Sequence, residues 1–220
     1  MSGRLTRCPS RLFLPFFPVF FSLILAACSR PDGLEREASL LAQVDTGQLR
    51  QGDLVFRMGY GLESRAVVAA DRDAMYSHVG LLVRDEGGWR VLHAVPGESE
   101  DTGGKEVLKK DSLPLYLRYD RACAVCVLRY DTSEDALAEV CRQGMRLYAE
   151  RVPFDHSYDM ADSSRLYCTE FVTNVFRTIG VDLPEGRSHH FPLLDHPIVY
   201  PIDISSNSRL EEVFTLSKKK

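Results

Sequence analysis

Residues 77–95 read "SHVGLLVRDEGGWRVLHAV" and contain the pattern that decides the fold. Two apolar runs flank the segment "DEGG" at 85–88, and glycine-rich, polar segments of this kind are typical of tight hairpin turns. The sequence therefore predicts an antiparallel β-hairpin. Each predicted strand carries one histidine in an apolar setting, His78 in the first and His93 in the second.

The hairpin spacing predicts that the two histidines share one face of the sheet. In a two-residue turn, the residue numbers of cross-strand pairs have an odd sum, which places His78 and His93 on the same side. A turn at Glu86-Gly87 pairs His93 with Gly80, diagonal to His78, whereas a turn at Gly87-Gly88 moves the histidines one pair further apart. Both registers remain open, and the nearer one lets one imidazole orient the other.

The elements around this hairpin indicate an α+β fold. Strands are predicted at 52–57 and within "CAVCVLRY", and Cys123 and Cys126 should face opposite sides of the latter, which argues against a bond between them. A helix follows with Thr132 or Ser133 as its N-cap. Another helix is predicted at Leu34–Val44. A further helix is predicted from about Leu166 to Ile179, capped by Asp162, Ser163 or Ser164 and ended by Gly180. Residues 107–116 have no assignment, and the C-terminal part is predicted to be mostly loop, with room for one strand.

The N-terminus predicts an exported, membrane-anchored protein. Three arginines precede an apolar stretch that is short for a membrane span and contains two prolines. The stretch ends in "LAAC", which resembles a bacterial lipobox. We therefore predict a signal peptide at 1–27, a lipid on Cys28, a tether at 28–33 and one domain at 34–220, in the bacterial cell envelope on the periplasmic side of the outer membrane. The other reading is an ordinary signal peptide with a coincidental cysteine.

Charge and motifs exclude several classes of partner. The formal net charge is −4 and the basic residues are dispersed, so no nucleic-acid partner is expected. No glycine-rich phosphate loop follows a strand, and the histidines near the C-terminus lack the spacing of zinc motifs. We therefore expect no metal and no organic cofactor.

Cys168 is the candidate nucleophile. The apolar positions of the predicted helix place Cys168 in its first turn, on the face that packs against the sheet. The N–H groups and partial positive charge at a helix N-terminus favour a thiolate, so a lowered pKa is expected, and the same N–H groups can bind an oxyanion. A histidine within reach would accept and return the proton, and His78 and His93 are the candidates.

These segments together resemble a known family. "GDLVFR", "SHVGLLV" and "VLHAV" are similar to the strand series of NlpC-type cysteine peptidases, and "CTEFVTNVFRTIGVDLP" resembles their cysteine helix. In those enzymes the helix precedes the strands, whereas here it follows them. That order, with "YCTEF" and "FDHSYD", resembles the permuted papain-like group containing the YaeF and YiiX proteins, and more distantly the lecithin:retinol acyltransferase group. The resemblance covers roughly residues 52–184.

The resemblance implies a circularly permuted papain-like fold, in which an antiparallel sheet packs against the cysteine helix. It also implies Cys168 as nucleophile, His78 as general base and His93 as the third member, a position that is sometimes a carboxylate. The loop "FDHSYD" places Asp155 and Tyr158 before the helix, where they are candidate substrate-binding residues, although Tyr158 could serve only to fix the loop.

The function expected from this sequence is a lipid-anchored thiol hydrolase. It would cleave an amide bond, as in a peptidoglycan peptide, through an acyl-enzyme on Cys168. Two alternatives stay open. One is a lipid acyltransferase or esterase that uses the same thiol, and the other is a non-catalytic module that binds an envelope component.

Overall fold

The structure is a computed structural model that describes residues 39–61, 64, 65, 67, 75–98, 102–190 and 195–217. The predicted signal peptide, Cys28, the tether and the start of the helix predicted at Leu34–Val44 lie outside these ranges. Within them that segment contains a 3-10 helix at Leu40–Gln43 with Val44 as its C-cap, so its described end is helical, as a short 3-10 turn. No helix in the described ranges is both long enough and apolar enough to cross a bilayer.

An antiparallel β-sheet forms the centre of the molecule. The strands in the described ranges are β1 (Leu54–Met58), β2 (His78–Asp85), β3 (Gly88–His93), β4 (Lys109–Ser112), β5 (Ala124–Tyr130), β6 (His189–His190), β7 (Pro197–Ile198) and β8 (Leu210–Ser217). Six of them form the main sheet, in the order β4-β3-β2-β1-β5-β8, and β6 pairs with β7 separately. Each pairing is antiparallel, and the α+β class expected from the sequence is confirmed.

The hairpin of β2 and β3 has the predicted register that brings the two histidines closer together. Leu81 pairs with Leu92, and Asp85 pairs with Gly88, which leaves Glu86 and Gly87 as the turn residues. The two histidines therefore share a face at one end of the sheet.

Two apolar cores cover the two faces of the sheet. One contains Val79, Leu81 and Leu92 and packs against the longer helices, α2 (Glu134–Ala149) and α3 (Cys168–Arg177). The other contains Val55, Leu82 and Val91 and packs against the short helix α1 (Leu113–Tyr116). Because side chains alternate along a strand, His78 and His93 lie on the face of α1, opposite the cysteine helix.

The N-terminus of helix α2 is capped by a residue that the sequence predicts, whereas that of helix α3 is not. Ser133 caps α2, accepting a hydrogen bond from the N–H of Ala136, as one of the two predicted caps. Helix α3 begins later than predicted, its N-cap is Tyr167, and no side chain caps it, so the predicted polar caps are wrong. The helix ends at Arg177 with Thr178 as its C-cap, earlier than the end predicted at Ile179, and Gly180, with a positive φ of 76°, lies in the turn that follows.

Two regions hold more structure than the sequence predicts. The unassigned segment 107–116 forms strand β4 and helix α1, with Ser112 accepting the capping hydrogen bond. Where the structure describes it, the C-terminal part contains three strands and a short helix, α4 (Pro201–Ser205), instead of loop with one strand. Strand β8 completes the sheet by pairing with β5, a contact between distant parts of the chain.

Candidate active site

The two histidines of the hairpin contact each other directly. His78 Nε2 lies 2.9 Å from His93 Nδ1, and the rings are nearly perpendicular, with centroids 5.1 Å apart. Both side chains are buried. The ring of Tyr116 packs on the same pair, 4.9 Å from His93 and 5.9 Å from His78, and its hydroxyl donates to the carbonyl of Val55. The imidazoles are therefore held in place by both a polar and an aromatic contact.

The carboxylate of Asp111 lies next to His93, on the side away from His78. Asp111 Oδ2 lies 3.3 Å from His93 Nε2, without the geometry of a good hydrogen bond, so the contact is mainly electrostatic. Asp111 is fully buried beside Arg121 Nη1, at 3.0 Å, and Lys109 Nζ, at 3.4 Å. Burial raises the pKa of Asp111, but the interactions with His93, Lys109 and Arg121 outweigh it and hold the pKa below its usual range. Asp111 is therefore ionised at neutral pH.

The charged Asp111 determines where the protons of the two imidazoles lie. A carboxylate can only accept, so His93 carries its proton on Nε2 and offers the lone pair of Nδ1 to His78. In this tautomer His78 donates from Nε2 and carries its lone pair on Nδ1. That nitrogen is the one available to take a proton from a thiol.

Cys168 lies at the amino end of α3, close to the start of β2. The backbone N–H groups of Val79, Thr169 and Cys168 itself lie close enough to its thiol to lower the pKa of the thiol. Val79 directly follows His78, and its N–H lies beyond the last paired residues of the hairpin, Leu81 and Leu92. The thiol therefore reaches round the end of the sheet to the strand that carries His78.

The pKa of the thiol differs from the expectation. Cys168 is only partly buried, but desolvation of its thiol among the packed neighbours raises the pKa to about 11, from an ordinary 9.0. The three N–H groups and the positive charge of Arg57 lower it, as predicted for a helix N-terminus, but they do not overcome desolvation. The expected lowering of the pKa is thus wrong, because burial of the thiol by tertiary packing outweighs the local effect of the helix.

The imidazoles are also neutral. Burial lowers the pKa of His78 well below 6.5, and the charges of Arg57 and His93 lower it further. Burial likewise lowers the pKa of His93, against the opposing effect of Asp111. At neutral pH the site therefore holds a thiol and a neutral imidazole, rather than a thiolate and an imidazolium.

Gly80 makes room for the histidine pair. A β-carbon at this position would lie 2.4 Å from Val91 Cγ1, 2.9 Å from the carbonyl oxygen of Leu92 and 3.1 Å from His93 Cβ. Each of these distances is too short or at the limit for non-bonded atoms. The glycine of "SHVG" is therefore required by the close approach of β3.

Arg57 connects the site to the loop between β3 and β4. It pairs with His78 across the sheet, its Nη1 donates to the carbonyl of Tyr116, and its Nη2 lies 2.6 Å from Glu98 Oε1. The other oxygen of Glu98 accepts from Arg121 Nη1 at 2.8 Å. Glu98 thus bridges two guanidinium groups at the edge of the site.

The sequence prediction missed Asp111, Arg57 and Glu98. The alternation of Lys109 and Asp111 in "KKDS" was a signal for a strand with a polar inner face. Pairing of His93 with Lys109 places both charged residues on the face of the histidines.

The predicted substrate-binding residues lie on a loop that is held by its own contacts. Asp155 is buried, and its carboxylate accepts from the N–H and hydroxyl of Ser157 and from the N–H of Asp159. Tyr158 has a positive φ of 58° and packs edge-on against Phe154 and Tyr167. Asp155 therefore fixes the loop that precedes α3, and a contact of either residue with substrate stays a prediction.

The fold is similar to that of a solved structure. No protein-family model matches the chain, and no curated protein does either. The crystal structure of "metalloprotein yiiX from Escherichia coli O157:H7, DUF1105" matches with a TM-score of 0.60 over 78% of this chain and 98% of that chain, at 20% sequence identity. The likeness shows a yiiX-like fold for this chain.

The described residues do not fit a metal centre of the kind that the name of this neighbour suggests. Both nitrogens of His93 are directed at other side chains, so the pair Cys168 and His78 offers at most two ligands, fewer than the three that catalytic zinc sites use. Elsewhere in the described ranges, no three His, Cys, Asp or Glu side chains are grouped to hold an ion.

Proposed function

We propose that this protein is a cysteine hydrolase with a circularly permuted papain-like fold. Cys168 is the nucleophile, His78 the general base, and His93 and Asp111 orient and stabilise His78. The observation that carries the proposal is the line of contacts from Asp111 through His93 to His78, next to the N–H group that lies close to the thiol. Covalent catalysis needs a nucleophile, a base and an orienting group. The effect of the Val79 N–H group on the thiol supports placing Cys168 beside the strand that carries His78.

The first half of the reaction forms a thioester. Nδ1 of His78 takes the thiol proton while the sulfur of Cys168 attacks the amide carbonyl, and the backbone N–H groups of Cys168 and Thr169 can bind the oxyanion. The positive charge that develops on His78 is stabilised through His93 by the negative charge of Asp111. When the carbon–nitrogen bond breaks, His78 returns its proton to the leaving amine.

The second half releases the acyl group. Water attacks the thioester, His78 takes one of its protons, and the sulfur of Cys168 leaves and is reprotonated. The products are a carboxylic acid and the free thiol, so the cycle needs no oxidant, reductant or cofactor. The low pKa of His78 makes its protonated form a strong acid, which favours protonation of the leaving group in each half.

The proposed substrate is an amide of the bacterial cell envelope, with a peptidoglycan peptide as the first choice. The lipobox-like "LAAC" supports an acylated Cys28 and anchoring of the protein to the membrane. Growth with a radiolabelled fatty acid should label the wild type and leave Cys28→Ala unlabelled. Labelling of both would contradict the proposed anchor.

The enzymatic proposal is tested with purified protein that begins at the tether. Muropeptides should be cleaved by the wild type and by Cys141→Ala, which removes a buried thiol outside the site. Cys168→Ala and His78→Ala should be inactive while retaining the fold by circular dichroism. Cleavage of phospholipid esters instead would identify the lipid esterase or acyltransferase, and full activity of Cys168→Ala would overturn the thiol mechanism.

A further inference from the structure

Arg57 is buried beside the proposed site with one of its hydrogen-bonding groups unsatisfied. Nη1 and Nη2 donate to Tyr116 and Glu98, but Nε is buried and has no hydrogen-bond acceptor among the described residues. Nε and Nη2 lie on the same edge of a guanidinium group, and this edge is the one that binds a carboxylate through two parallel hydrogen bonds. Glu98 uses only one of these two donors.

The bridging position of Glu98 explains why Nε stays unsatisfied. One carboxylate oxygen contacts Arg57 and the other contacts Arg121, so Glu98 does not present its two oxygens side by side to Nε and Nη2 of Arg57. A buried donor without an acceptor costs free energy. A separate carboxylate that bound Arg57 through both Nε and Nη2 would remove this cost.

Glu98 is also the part of this arrangement that can move most easily. Its side chain is 20% exposed, whereas those of Arg57 and Arg121 are 3% and 9% exposed. Its backbone is held, because Lys109 Nζ donates to the Glu98 carbonyl and Glu106 accepts from the N–H of the preceding glycine. Rotation of the Glu98 side chain alone would therefore uncover the guanidinium edge without moving the loop.

We propose that Arg57 and Arg121 form a carboxylate-binding subsite next to Cys168, which Glu98 fills in the free protein and a carboxylate of the substrate fills in the complex. Its role in turnover rests on the function proposed above. The position supports it, since Arg57 is the cross-strand partner of His78 and its charge acts on the thiol. The substrate is accordingly a peptide that carries a carboxylate close to the cleaved amide.

Two alkylating reagents of similar size test the subsite without a known substrate. Iodoacetate carries a carboxylate and iodoacetamide is neutral, and both replace iodide with the thiolate of Cys168. The measured quantity is the ratio of their rates at Cys168 at pH 9, followed by mass spectrometry. Any change in the thiol pKa affects both reagents equally and cancels in this ratio.

Glu98→Ala should raise the ratio of iodoacetate to iodoacetamide labelling about tenfold. A unit charge that acts over about 10 Å at an effective dielectric constant of about 20 changes a rate by about this order. Glu106→Gln removes a carboxylate from the same loop but not from the arginines, and it should leave the ratio within about twofold. An equal rise in Glu106→Gln, or no rise in Glu98→Ala, would overturn the subsite.

Acetate provides a second measurement, because it replaces the atoms that Glu98→Ala removes. Acetate should raise the melting temperature of Glu98→Ala saturably, relative to chloride at equal ionic strength. Wild type and Glu98→Gln, in which a side chain still fills the position, should not respond. Equal responses of all three proteins would refute a specific subsite.

The two proposals can fail separately. If neither reagent modifies Cys168 but acetate stabilises Glu98→Ala alone, the subsite stands and the proposed thiol chemistry fails. If Cys168 is modified but Glu98→Ala behaves as the wild type toward both reagents and acetate, the thiol chemistry stands and the subsite is wrong.

Discussion

The protonation state of the resting site gives a quantitative prediction for the reactivity of Cys168. The perturbation is pH, and the structure supplies a thiol with a pKa of about 11 beside a neutral His78. Only the thiolate reacts with iodoacetamide. With this pKa the thiolate fraction is about 10⁻⁴ at pH 7 and about 10⁻² at pH 9. The alkylation rate should therefore rise about tenfold per pH unit from pH 7 to pH 10.

The assay is the rate of iodoacetamide labelling at Cys168 between pH 5 and pH 11, measured by peptide mass spectrometry, with Cys168→Ala as the blank. A thiolate–imidazolium pair would behave differently, because its thiolate is already formed at acidic pH. Such a pair gives a plateau of rapid labelling from about pH 5 to pH 8. A plateau of that kind would refute the neutral pair and the argument that burial outweighs the helix N-terminus.

Three substitutions probe the surroundings of the pair. Asp111→Asn should lower kcat about 10- to 100-fold with little change in KM, since it weakens stabilisation of the charge on His78, and steady-state kinetics on the folded fraction tests this. Gly80→Ala should lower the free energy of unfolding by about 1–3 kcal/mol and remove most of the activity, because the added methyl group displaces His93. Gly144→Ala is the control: its methyl group meets Leu81 and Leu92 at 3.0 Å on the other face of the sheet, so the activity per folded molecule should stay the same. Burial raises the pKa of Glu170 to about 8, above its value in the unfolded chain. The free energy of unfolding should therefore fall by about 1.4 kcal/mol per pH unit as pH rises from about 4.5 to 8. Urea unfolding at several pH values should show this slope, and Glu170→Gln should remove it.

The parts of the fold that depend on neighbouring residues were predictable. The hairpin follows from a two-residue turn between apolar runs, and the shared face of His78 and His93 follows from the count of residues between them. The cap at Ser133 and the positive φ of Gly180, in the turn after the cysteine helix, are likewise local features. In each case the physical cause lies within a few residues of the feature.

The parts that depend on distant contacts were not predictable from one sequence. Strand β4 is polar, and its place is fixed by pairing with β3, so Asp111 could not be assigned to the site. Glu98 reaches Arg57 from a loop 41 residues away along the chain. The pKa of Cys168 depends on how deeply packing buries the thiol, whereas the sequence indicated only its place at a helix N-terminus.

The raised pKa of Cys168 also bears on the predicted export of the protein. A catalytic thiol in an oxidising compartment risks conversion to a disulfide or a sulfenic acid, and both reactions begin from the thiolate. A thiolate fraction of about 10⁻⁴ at pH 7 slows each of them by the same factor relative to a fully ionised cysteine. In the proposed mechanism, His78 takes the proton of the thiol only when a carbonyl group is bound next to the sulfur. The raised pKa would therefore protect the resting thiol from oxidation without preventing the proposed reaction.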